Sequence, residues 1–145
     1  MYVIDSNIYI SGRRDSTLAN DLRRFLDRAA GQVLVSAVVI HELLVGAHSS
    51  AGREMILREV VTPFQHHLRV VETDLHVWRE AALIATGLRA VGGYAEKLAL
   101  ATFGHDILIA ASCRRVGATL ITANRSDFAL IDSVRGFRFV TSFPA

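Results

Sequence analysis

Val33-Leu34-Val35-Ser36-Ala37-Val38-Val39-Ile40-His41-Glu42-Leu43-Leu44-Val45-Gly46 passes from an apolar run straight into a helical pattern. Val33 to Ser36 reads as a strand. The stretch from about Ala37 to His48 reads as a helix whose apolar face holds Val38, Leu44 and Val45. A short strand feeding directly into a helix is the repeating unit of an open α/β sheet, and the rest of the chain follows that rhythm.

Upstream, Tyr2 to Ile4 forms a short strand. Ser16 or Thr17 then caps a helix with Leu18, Leu22, Phe25, Leu26 and Ala29 at helical spacing, ended by Gly31. Downstream, the pattern predicts a helix over about Gly52 to Val61, broken by Pro63, and a strand from Leu68 to Val71. Asp74 caps the next helix, with Leu75, Trp78, Ala82, Ala85 and Leu88 as its stripe and Gly92-Gly93 at its end. Ala95 to Ala101 is helical by pattern, and a further helix runs from Asp106 to Arg115 and closes at Gly117. Thr119 to Ile121 and Arg138 to Thr141 complete five strands. The expected class is α/β, a three-layer domain with a mostly parallel five-stranded sheet and helices on both faces, spanning 1–145 as a single unit. No linker, repeat or low-complexity tract interrupts it.

At 145 residues the chain is long enough for a genuine core. Its apolar share of 51% is on the high side for a globular protein and points to apolar surface covered by another chain, or to a helix-rich core. Cys113 is the only cysteine, which excludes an intrachain disulfide and fits a reducing compartment. No basic segment with an apolar signal core precedes the first strand, and no apolar stretch approaches the ~20 residues of a membrane span. A cytoplasmic protein is the expectation. Net charge is +2, and every basic residue except Lys97 is arginine. Arg13-Arg14, Arg23-Arg24 and Arg114-Arg115 fit a phosphate-lined path, and equally the solvated helix faces of an arginine-rich chain.

Four acids stand at the ends of the apolar runs or just inside the following helices: Asp5, Glu42, Asp106 and Asp127. In parallel α/β sheets ligands bind beyond the carboxyl ends of the strands. That geometry brings Asp5, Glu42 and the Asn124/Asp127 loop to one edge, and Asp106 joins them if its helix begins there. Gathered oxygens suit a hard divalent cation, Mg2+ or Mn2+, which can activate water against a phosphodiester. Taken singly, Asp106, Asn124 and Asp127 are also ordinary helix caps. Asp5 is the least ordinary, since strands are poor in aspartate.

Ser6 and Asn7 are placed to hydrogen-bond Asp5 or a phosphate, Thr122 to orient Asp106 or Asn124, and Arg125 to meet a substrate phosphate. His41 and His105 precede acids, but neighbours on a helix point different ways, and the spacing for a zinc site is missing. Trp78 reads as core or dimer surface, and Cys113 as a small buried hydrophobe.

The segments Val3-Ile4-Asp5-Ser6-Asn7, Ser36 to Gly46, His105 to Ala111 and Leu120-Ile121-Thr122-Ala123-Asn124-Arg125-Ser126-Asp127-Phe128 resemble, in this order, the PIN-domain family, particularly the VapC-type toxins of type II toxin-antitoxin systems. The resemblance implies a five-stranded parallel sheet and a Mg2+- or Mn2+-dependent endoribonuclease. It also implies a cognate antitoxin that masks the site, and a homodimer. Asp5, Glu42 and Asp106 fall on the family's three core acidic positions. The fourth is divided: some relatives carry an acid where this chain has neutral Asn124, others one that matches Asp127. The stretch from Leu83 to His105, with Glu96-Lys97, matches nothing diagnostic. Two other readings follow from the same residues: an RNA-processing nuclease of this fold without an antitoxin, and a catalytically weak PIN-like interaction module.

Overall fold

A computed structural model describes residues 1–145. Strands β1 (Tyr2–Ile4), β2 (Val33–Ser36), β3 (Val70–Val71), β4 (Thr119–Ile121) and β5 (Arg138–Val140) form one sheet in the order β3-β2-β1-β4-β5. Every pairing is parallel. The chain builds outward from β1 to β3 and then returns to lay β4 on the other side of β1. The β1/β4 seam is therefore the point where strand order reverses, the place where such sheets leave a crevice at their carboxyl edge.

Successive residues of β1 face opposite sides of the sheet. Ile4 and Ile121 pack with Ile8 of α1 (Ser6–Gly12) and with Phe25 and Ala29 at α2 (Ser16–Arg28). Val3 and Leu120 belong to the larger core on the other side, with α3 (Ala37–Gly46), α6 (Leu75–Val91), α8 (Ala101–Val116) and α9 (Arg125–Val134). The strand-to-helix passage at Ser36 is direct: its buried hydroxyl accepts a hydrogen bond from the Val38 amide at 3.1 Å and caps α3.

Several boundaries differ from the sequence reading, each for a local reason. Asp15, not Ser16 or Thr17, caps α2, its carboxylate accepting from the Thr17 and Leu18 amides. Pro63 does not end a helix. After α4 (Ser50–Ile56) the helical backbone continues, widening to the π spacing over Leu57–Val61, and Pro63 follows within α5 (Thr62–His66), the wider turns before it accommodating its missing N–H. β3 starts at Val70 because Leu68 adopts a left-handed turn (φ 56°). The sequence pattern also put α6 on the wrong stripe. Val77, Ala81, Ile84 and Leu88 are buried, whereas Leu75 and Trp78 face outward at 70% and 55% exposure. The helix is apolar on more than one face, so periodicity alone could not choose. In α3, likewise, Val38, Val39 and Leu43 are buried and Val45 is exposed. The short helix α7 spans only Ala95–Leu98, and α8 begins at Ala101, one and a half turns before Asp106. No helix is long and apolar enough to cross a membrane.

Candidate active site at the strand-order reversal

Because Ile4 lies opposite Ile121 across the β1/β4 seam, the next residues of each strand, Asp5 and Thr122, emerge side by side at the carboxyl edge. The Asp5 amide bonds the Ile121 carbonyl at 2.9 Å, and the Thr122 amide bonds the Val140 carbonyl at 3.0 Å, fixing both backbones. The Thr122 hydroxyl donates to Asp5 Oδ2 at 2.6 Å, and Asn7 Nδ2 donates to the same oxygen at 2.9 Å. Both Asp5 and Thr122 are buried.

Glu42 comes in from the second turn of α3. Ser6 Oγ donates to its Oε2 at 2.6 Å, and His105 Nδ1 stands 3.4 Å from its Oε1. α8 descends from the carboxyl edge to feed β4, so its second turn delivers Asp106 to the crevice. Asp106 is therefore neither a cap nor a helix start but an acid inside a continuous helix. Asn124 caps α9: its Oδ1 accepts from the Asp127 amide at 3.4 Å, while its Nδ2 donates to Asp127 Oδ2 at 3.0 Å and approaches Asp106 Oδ2 at 3.4 Å. Arg125 is exposed in the first turn of the same helix.

The electrostatics follow from this crowding. Burial pushes the Asp5 carboxyl up to about 6, the Thr122 hydrogen bond resisting and the Glu42 charge adding to it. Asp106 is pushed to about 8 by burial first and then by the charges of Asp5, Asp127 and Glu42; in its protonated form it also hydrogen-bonds Asp127. Partial burial raises Asp127 as well, but Lys97 and Asn124 outweigh it and hold that carboxyl below its ordinary range. Lys97 Nζ lies 2.6 Å from Asp127 Oδ1.

As they stand, no three His, Cys, Asp or Glu side chains form a ready ligand cluster. Asp5, Glu42 and Asp127 each turn toward a close protein donor, and Asp106 has only the long Asn124 contact. The donor set nonetheless fits a hard divalent ion: it is all oxygen, and its negative charge exceeds what Lys97 balances. Asp106, with the fewest donors and the highest pKa, is where that imbalance is greatest.

Sequence reasoning passed over two residues here. His105 was set aside, yet its ring meets Glu42 and stacks edge-on against His41 at 5.3 Å between centroids. Lys97 lies in the stretch without a recognisable pattern; its one signal is being the sole lysine of an arginine chain.

This crossing order and acidic crevice define the class, and the PIN-domain family matches residues 2–133. The chain belongs to the PIN-domain family. Its fold is similar to that of several solved assemblies. One is a FitAB complex bound to the IR36 DNA fragment: 20% identity, TM-score 0.71, covering 97% of this chain and 94% of that one. Another is a DNA-bound VapBC from Salmonella typhimurium: 21% identity, TM-score 0.70, covering 96% of each. A third is FitAcB from Neisseria gonorrhoeae: 20% identity, TM-score 0.71, covering 97% of each. No protein of curated function matches the chain.

Proposed function

We propose that this chain, as one domain over residues 1–145, is a Mg2+- or Mn2+-dependent endoribonuclease and the toxin half of a type II toxin-antitoxin pair. The observation that carries this reading is the meeting of Asp5, Glu42, Asp106 and Asp127 at the β1/β4 crevice, with Asp106 raised to about 8 by burial and then by its acidic neighbours. Carboxylates are gathered against their own repulsion where a cation is to be held.

Asp5 and Asp106 are assigned as direct ligands, being short side chains on rigid backbone. Thr122 favours the ionised form of Asp5 against its burial, and Thr122 and Asn7 together fix its orientation by donating to it. Glu42, anchored by Ser6 on one oxygen, presents the other toward His105 and the crevice, and serves to hold a metal ion or orient the attacking water. Asn124 spaces Asp106 from Asp127. Arg125, with Arg13 and Arg14 beyond α1, offers guanidinium groups to the flanking phosphates. A divalent ion held there would polarise the scissile phosphate and lower the pKa of the attacking water. The family resemblance implies products with a 5′-phosphate and a 3′-hydroxyl.

The similarity to FitAB and VapBC assemblies supports a protein partner, a cognate antitoxin that covers the crevice. A homodimer would cover the outward apolar side chains Leu75, Trp78 and Leu83 of α6. The reading places the chain in the cytoplasm, where its RNA substrate is.

A second reading, a catalytically weak binding module, is favoured by one observation: the fourth acidic position holds Asn124, and Asp127 is already engaged by Lys97. Incubating the purified, partner-free protein with a defined RNA and Mg2+ or Mn2+ separates the two. The nuclease reading expects cation-dependent cuts that are lost in Asp5→Asn and Asp106→Asn; an intact RNA with the wild type selects the binding module. A small antitoxin gene directly upstream separates a toxin from an RNA-processing enzyme.

A further inference from the structure

We propose that the Lys97 ammonium is a built-in cation of the acidic crevice, standing where a second divalent ion would otherwise sit, so that the site takes a single ion at Asp5 and Asp106. This rests on the metal-dependent reading above and specifies its stoichiometry.

Both oxygens of Asp127 are in use. Oδ1 meets Lys97 Nζ at 2.6 Å, and Oδ2 accepts from Asn124 Nδ2 at 3.0 Å. The same Asn124 amide reaches Asp106 Oδ2 at 3.4 Å, so a neutral donor bridges the two acids that a second ion would have to share. Asp106 by contrast has no cationic partner of its own among the chain's ion pairs.

The position of Lys97 is built rather than incidental. Gly92 and Gly93 both take positive φ (85° and 87°), turning the chain out of α6 and into the single turn of α7 that carries Lys97. Its Nζ lies 5.1 Å from the ring centroid of Phe103, a side chain only 2% exposed, and the lysine side chain itself is two-thirds covered. An ammonium over an aromatic face is attracted to it, and the covered stem limits where the charge can go. A compact point charge with three donors replaces a hydrated ion better than a planar guanidinium does, and this is the one place where the chain uses lysine. Another divalent ion beside Asp127 would have to displace a cation 2.6 Å from a partly buried carboxylate.

The test is Mn2+ binding followed by electron paramagnetic resonance and calorimetry. Wild type is expected to bind a single uncoupled Mn2+. Lys97→Met, which keeps the stem over Phe103 and removes the charge, is expected to admit a second ion with spin coupling between the two. Asp127→Asn provides an arm independent of how Lys97→Met folds: its affinity for the first ion falls by no more than the ~10-fold to 100-fold of an outer-shell change, whereas Asp106→Asn loses that ion. Two coupled ions in wild type, a single ion in folded Lys97→Met, or Asp127→Asn as damaging as Asp106→Asn each overturn the role of Lys97 while leaving the metal site standing. A wild type that binds no Mn2+ removes the metal-dependent reading and this inference together.

Discussion

Two carboxylate clusters in this molecule show opposite physics. At the β1/β4 crevice, acids are gathered with acids, and Asp5 and Asp106 are pushed up to about 6 and about 8. On another part of the surface, Glu80 of α6 is gripped by arginines. Arg135 Nε and Nη2 donate to its two oxygens at 2.6 and 2.8 Å, and Arg114 Nε adds a contact at 3.0 Å while also reaching the Gly136 carbonyl. Those hydrogen bonds, outweighing a partial desolvation, lower Glu80 to about 2. The Glu80 cluster ties α6 to α8 and to the end of α9. The crevice gathers its acids at a cost in stability, through burial and mutual repulsion. A carboxylate with its partners in place is structural; one pushed up by burial and by neighbouring acids marks a candidate functional site.

The strongest way to break the contrast is Asp106→Asn. On the proposed metal-dependent reading, losing a direct ligand removes several kcal/mol of transition-state stabilisation, so RNA cleavage should fall by ~100-fold or more. The metal-free protein should at the same time melt higher at mildly alkaline pH, because a repelled charge is gone. Unchanged cleavage, or a lower melting temperature without metal, would count against the crevice as a strained acid site.

Thr122→Val probes the donor side. The swap keeps the buried shape and deletes the 2.6 Å hydrogen bond to Asp5, so Mn2+ affinity should drop ~10-fold to 100-fold, the range for outer-shell partners. Equal affinity in a calorimeter would assign Thr122 to packing alone.

The two clusters should also respond oppositely to pH. Acids with raised folded-state pKa values contribute stability that is complete below their unfolded value and is lost as pH rises through the folded one. For Asp5 and Asp106 that window runs from about pH 4 through about 6 and about 8. The melting temperature of chelator-treated protein should decline across it, and saturating Mg2+ should flatten the decline by favouring the ionised folded state. Glu80, being lowered, contributes stability above its ordinary value and loses it as pH falls toward about 2. A chelator-treated protein whose melting temperature rises toward pH 9 would contradict the assignment.

Smallest of all should be Glu80→Gln. A partly exposed, arginine-clamped pair is screened by solvent, so the melting temperature should fall by only ~3 °C. RNA cleavage should not change. A loss of cleavage without a loss of stability would show that the two clusters are coupled.

The strand-helix rhythm was legible because period-2 and period-3.6 patterns are local: the presence and order of all five strands, the Ser36 passage and the Gly117 terminus can be read from the sequence, although the bounds of β3 and β5 shift by one or two residues. What misled was also local. Apolar residues on several faces of α6 leave its buried stripe ambiguous, and Pro63, a breaker by its residue type, lies within a continuous helical run. Asp5, Glu42, Asp106 and Asp127 were each nameable from sequence as acids at element ends. Their meeting was not, since it depends on β4 returning to the far side of β1 and on α8 starting early enough to place Asp106 in its second turn.

The amino-acid order by itself determined the alternating elements, the parallel sheet they form and which carboxylates were available, because propensity and periodicity act over a few residues. Only the tertiary structure decided that Lys97 reaches Asp127, that His105 meets Glu42 and that Thr122 steadies Asp5. Those contacts join residues 30, 63 and 117 positions apart, and at such separations no local pattern exists. Strand order and helix packing alone bring the partners within hydrogen-bonding reach.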